Sequence, residues 1–176
     1  MRILAVSGSL RAQSSNTSLL RAMAMVVAPR MEVTVFEDIG LIPPFNPDLE
    51  FSIASPALDR FRQLLRASDA VVFSTPEYAH GMPGMLKNAL DWVVGSGELS
   101  RKPVALVNAS PRGVFAQASL KEVVQTMDAR LITEAEVTVN LVGMKLTAGE
   151  IAGNPEFAGQ LRTALEKLCQ SIPLVQ

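Results

Sequence analysis

Apolar residues in this chain fall into short continuous runs, separated by longer stretches in which they recur every three or four positions. The runs are Ile3–Val6, Val33–Phe36, Ala70–Phe73 and Val104–Val107. They are apolar almost throughout and do not alternate, as strands do when helices cover both faces of a parallel sheet. A further run, Ile132–Asn140, alternates more and predicts an edge strand. Helical spacing appears in Asn16–Val27, Pro56–Ala67, Pro83–Val94, Ala116–Leu131 and Pro155–Ile172. Leu58, Phe61, Leu64 and Leu65 show it in the second of these, and Leu161, Leu165 and Leu168 in the last. Strand and helix alternate from end to end. That pattern predicts a doubly wound α/β fold, with a five-stranded parallel sheet in the order 2-1-3-4-5 between two helical layers. Residues 1–176 are read as a single domain.

One segment breaks the rhythm. Asp38–Pro56 carries four prolines and predicts a long irregular loop of the kind used as a lid or an interface. Composition narrows the function classes. At 48% hydrophobic and 19% charged, the chain can build a sizeable core. A formal net charge of -1 gives no footprint for nucleic acid or an anionic membrane. The chain has one cysteine, Cys169, and one histidine, His80, so neither a disulfide framework nor a Cys/His metal cluster is available. The first apolar run is too short for a signal peptide, and no stretch reaches the length of a membrane helix. The cytoplasm is the expected location, and no metal, nucleic acid or membrane is expected as a partner.

Three loops that follow predicted strands carry the candidate chemistry. In an open α/β sheet such loops share the edge where ligands bind. The first, Ser7–Ala22, is crowded with hydroxyls: Ser14, Ser15 or Asn16 can cap the helix, Ser9 and Ser15 offer donors, and Arg11 offers a charged fork. It reads either as a cradle for a phosphate that is held but not cleaved, or as a capped turn. No Walker lysine follows it, it lacks the G-x-G-x-x-G spacing, and no cysteine is present to attack phosphorus. The second, from Thr75, holds Pro76, Glu77 and Tyr78 and then Gly81, Pro83 and Gly84, a backbone fixed without regular structure. Lys87 and Asp91 are spaced as an ordinary helical ion pair. The third, Asn108–Ala116, holds Ser110, Arg112 and Gly113. Arg112 suits either a second anionic group or solvent. His80 has no serine or cysteine nucleophile in a suitable context, so no hydrolytic triad is expected and no side chain is assigned as catalytic.

These loops resemble the NADPH-dependent FMN reductase family of flavodoxin-like proteins, which includes chromate, quinone and azo-dye reductases. The family pattern G-S-L-R-x-x-S-x-N is matched by Gly8, Ser9, Leu10, Arg11, Ser14 and Asn16, with Ser15 adjacent. Its second pattern is matched by Pro76, Glu77, Tyr78, Pro83, Gly84, Leu86, Lys87, Asn88, Ala89, Asp91 and Trp92. Two positions depart: Ala79 stands where the family has asparagine, and Gly81 where it has serine. The resemblance implies a flavodoxin-like fold and non-covalent FMN. The phosphate would lie on Ser9, Arg11, Ser15 and Asn16, and the isoalloxazine against Pro76, Glu77 and Tyr78 with Ser110 and Gly113 nearby. It further implies NADPH or NADH as co-substrate, a ping-pong cycle that ends on a small-molecule quinone, azo, flavin or metal-oxyanion acceptor, and a homodimer or homotetramer. A flavodoxin-type electron carrier is the alternative. Such carriers are usually strongly acidic, and this chain is not.

Overall fold

The computed structural model describes residues 1–50 and 52–172. The strands are β1 (Arg2–Ser7), β2 (Glu32–Phe36), β3 (Ala70–Ser74), β4 (Pro103–Asn108), β5 (Arg130–Leu131) and β6 (Val137–Thr138). The helices are α1 (Ser15–Met25), α2 (Pro56–Ala67), α3 (Gly84–Val94), α4 (Val114–Thr126), α5 (Ala148–Gly153) and α6 (Pro155–Gln170). The strands lie in the order β2-β1-β3-β4-β5, all parallel, with β6 also paired to β4.

Period-two alternation splits the core into two layers. Ile3, Ala5, Ala70, Val72, Ala105 and Val107 face α1, α5 and α6. Leu4, Val6, Val71, Phe73, Val104 and Leu106 face α2, α3 and α4. β3 and β4 are buried at every position, which is why their sequences run apolar without alternation. β2 lies at the sheet edge and is only partly covered.

Local signals set most boundaries. Ser55 caps α2 by accepting from Leu58 N–H, and Pro56 occupies its first position. Asn154 and Pro155 open α6 in the same way. Two predicted elements differ. The helix expected over Ala116–Leu131 ends at Thr126, because Asp128 turns left-handed at φ +60°. There Asp128 N–H donates to Gln125 O and Ala129 N–H to Val124 O, a Schellman closure without glycine. The strand expected over Ile132–Asn140 is broken. Leu131 pairs with Val104 and Val137 with Val107, so six steps on one side oppose three on β4. The surplus folds into a 3-10 turn over Thr133–Ala135, with Ala135 buried; only β6 falls within the expected strand, and β5 lies just before it in residues expected to be helical.

The proline loop contains 3-10 turns at Asp38–Leu41 and Pro47–Leu49 and is pinned to α3. Asn88 Nδ2 and Trp92 Nε1 both donate to Pro43 O, at 2.9 and 2.7 Å, while Asn88 Oδ1 accepts from Phe45 N–H at 2.7 Å. Phe45 meets the buried Trp92 edge-on at 5.1 Å. Between β3 and α3 the chain makes a tight hairpin: Tyr78 and Gly81 exchange backbone hydrogen bonds of 3.0 Å, and Ala79 and His80 sit at φ +49° and +59°. Both central residues at positive φ is the geometry that favours asparagine or glycine. Alanine gains nothing from it.

Two stability measurements follow from these contacts. Asn88→Ala is expected to cost about 1–3 kcal/mol in urea unfolding, since it strips two hydrogen bonds from the loop backbone. Ala79→Asn is expected to stabilise by about 0.5–1 kcal/mol in the same assay, by relieving the left-handed strain.

Candidate functional site

β1, β3 and β4 end side by side, and the loops that leave them open onto one cleft of about 900 Å³. The cleft draws Ser9, Arg11, Ser15 and Asn16 from the first loop, Pro76, Glu77 and Tyr78 from the second, and Ser110, Arg112 and Gly113 from the third. The residues singled out from the sequence therefore surround one space.

The floor at the β1 end is a network of buried hydroxyls. Ser7 Oγ and Thr17 Oγ1 share a hydrogen bond of 2.7 Å, and Ser74 Oγ donates to Asn16 Oδ1 at 2.9 Å. The second contact ties the end of β3 to the first turn of α1. Gly8 is required here by close approach and not by a special φ: a Cβ would lie 2.6 Å from Thr75 Oγ1. Ser14 proves to be the cap of α1, with Oγ accepting from Thr17 N–H. Ser15 and Asn16 then occupy the first helical positions, and their N–H groups have no backbone acceptor among the described residues. Arg11, on the same loop, is exposed and makes no ion pair among the described residues. Free N–H groups at a helix start, serine hydroxyls and an unpaired guanidinium form a donor set suited to a phosphate dianion.

Elsewhere the cleft is lined by Pro76, the half-exposed Tyr78, Ser110 and Gly113. Ser110 shapes its own loop: its N–H donates to Asn108 Oδ1 at 3.2 Å, and its Oγ accepts from Arg112 N–H at 3.1 Å. Glu77 turns its carboxylate toward α4, where Oε2 accepts from Phe115 N–H at 2.7 Å and Ala116 N–H at 2.9 Å. His80 stacks on Phe115 with ring centroids 4.3 Å apart. Lys87 and Asp91 form the helical ion pair expected of their spacing.

Sequence reasoning missed a fourth wall, Leu141–Ala148, between β6 and α5. Gly143 turns there at φ +76°, and Lys145 adds a cation. The segment is anchored by the capping box of α5. Thr147 Oγ1 accepts from Glu150 N–H, and hydrogen bonds from the Thr147 backbone and then its hydroxyl hold the Glu150 carboxyl below its usual range. The Thr-x-x-Glu spacing was visible in the chain, but six residues with two glycines give too weak a helical pattern to notice. Arg21 also lines the cleft, but it is paired with Glu37, whose hydrogen bond raises the guanidinium pKa further. Among the described residues no group of three His, Cys, Asp or Glu side chains could hold a metal ion, and no helix is long and apolar enough to cross a membrane.

Comparison with known proteins agrees with this geometry. The family model for NADPH-dependent FMN reductases matches residues 1–143. The chain is 38% identical over 146 residues to an NAD(P)H-dependent FMN reductase of Pseudomonas aeruginosa, covering 80% of this chain and 78% of that one. It is 29% identical to a quinone reductase of Escherichia coli K12, covering 99% and 98%. Among solved structures, the flavoenzyme NAD(P)H:(acceptor) oxidoreductase FerB of Paracoccus denitrificans superposes with a TM-score of 0.70 at 26% identity, covering 96% of this chain and 97% of that one. Flavodoxin 1 of Bacillus cereus, at 14% identity and a TM-score of 0.62 over 98% of this chain and all of its own, shares the fold. Match, cleft and loop motifs together make this chain a member of the NADPH-dependent FMN reductase family.

Proposed function

We propose that residues 1–176 act as one FMN-binding unit, an oxidoreductase that uses NADPH or NADH to reduce a small acceptor of the quinone, azo, flavin or metal-oxyanion class. The observation that carries this reading is the junction, within one cleft, of an anion cradle at α1 and a region lined by Pro76, Tyr78, Ser110 and Gly113. When bound, FMN supplies the electron chemistry, serving nicotinamide and acceptor in turn in a ping-pong order. The chain's own part is positioning and electrostatics. Ser9, Ser15, Asn16 and the first N–H groups of α1 would hold the phosphate, and Arg11 would neutralise it. The ring would lie against the Pro76–Tyr78 stretch, with Ser110 and Gly113 nearby. Arg112 and Lys145 have no ion-pair partner among the described residues, so the same cleft offers cations for the phosphates of the nicotinamide co-substrate.

The purified protein is expected to carry a flavin absorbance spectrum, bleached on adding NADPH or NADH and restored by a quinone. A colourless protein that cannot be reconstituted with FMN would remove the proposal. A yellow protein that neither nicotinamide bleaches would instead be an electron carrier. Arg11→Ala is expected to weaken FMN by about ten- to a hundredfold, the range of one hydrogen bond to a charged group, while riboflavin changes little. Fluorescence titration with the two flavins checks this, and equal loss for both would assign Arg11 a structural part only.

A further inference from the structure

Glu77 belongs to the loop after β3, yet it serves α4. That helix begins at Gly113, whose position offers no side chain to cap it, and no side-chain bond is made there from within the helix's own loop. Glu77 Oε2 fills the gap from the neighbouring loop, accepting both Phe115 and Ala116 N–H. A carboxylate at a helix start gains from the aligned peptide dipoles as well as from charged hydrogen bonds. The two loops meet a second time where the His80 ring lies on Phe115, 4.3 Å between centroids and 21° between planes. His80 is held there by the hairpin from Tyr78 to Gly81, with its paired backbone bonds and two left-handed residues. The stretch from Pro76 to Gly81 is thus fastened to the first turn of α4 at both ends. Pro76, Tyr78 and Gly113, which these ties hold together, all line the cleft.

We propose that Glu77 is a positioning residue for the flavin ring. Its carboxylate ties the second loop to the third and presets the gap that the ring enters, so that little of the binding energy is spent on ordering the loops. The inference rests on the FMN reading above. It assigns Glu77 to ring recognition through the loops it joins, where the resemblance alone implied contact with the ring. A residue that merely capped α4 would matter for stability and not for flavin affinity.

Titrating apo-protein with FMN and with riboflavin, followed by quenching of flavin fluorescence, separates the cases, with the apo melting temperature measured alongside. Glu77→Ala is expected to raise Kd for both flavins by the same factor, about tenfold or more, the equivalent of one charged hydrogen bond. Glu77→Gln keeps an acceptor oxygen without the charge and is expected to fall between wild type and alanine for both flavins. Arg11→Ala, by contrast, is expected to affect FMN selectively. A lowered melting temperature with an unchanged riboflavin Kd, in either Glu77 variant, overturns the proposal and leaves Glu77 a helix cap. Should the alanine variant fail to fold, the glutamine variant decides, on whether its riboflavin Kd rises by about threefold or stays at the wild-type value. Wild-type protein that binds neither flavin overturns the FMN reading itself, and is recognised before any variant is compared.

Discussion

Neighbouring parallel strands cannot be joined by a tight turn, so β1, β3 and β4 must each return through a helix. Every strand then ends at the same edge of the sheet, and three loops distant in sequence are forced together there. The burial of β3 and β4 on both faces follows from the same connection, since the returning helices have to lie on the sheet. The cleft is a by-product of this winding. What this chain adds is the chemistry of the loop residues and the means of holding the loops still.

Those means are largely polar. Where β1 and β3 run out, Ser7 and Ser74 are fully buried, and each finds a partner on α1, Thr17 and Asn16 respectively. Buried hydroxyls left unpaired would cost more than apolar residues in their place. Paired as they are, they fix the start of α1 relative to the sheet. The proline loop is secured by the same logic through Asn88 and Trp92, both spent on Pro43 O. Residues that a motif marks as part of a ligand site are here, in part, the framework that keeps such a site in shape.

The sheet and the larger helices were legible in the sequence because their signals are local. The apolar run Ala70–Phe73 falls inside β3, and Ser55 with Pro56 announces α2 at its observed start. The end of α4 and the strand region after it were not legible, each for a physical reason, whereas α6 again begins at its predicted proline. Asp128 ends α4 in a conformation usually left to glycine, so the stop signal was missing. The register against β4 forced a turn into what looked like one alternating strand. At the site, the residues picked out in the first three loops line one cleft. The partner of Glu77 could not be read, because Phe115 and Ala116 lie 38 and 39 residues further along and are brought to it only by the fold.

Three helix starts line the cleft, those of α1, α4 and α5, and each would otherwise attract an anion. Glu77 already sits at α4, and Glu150 at α5. At α1 the Ser15 and Asn16 N–H groups have no acceptor among the described residues, and Arg11 lies on the same loop. A ligand carrying phosphate meets open N–H groups at α1, while the starts of α4 and α5 each already hold a carboxylate. Acidic side chains at two of the three helix starts thus leave α1 as the start where an incoming phosphate meets no resident carboxylate.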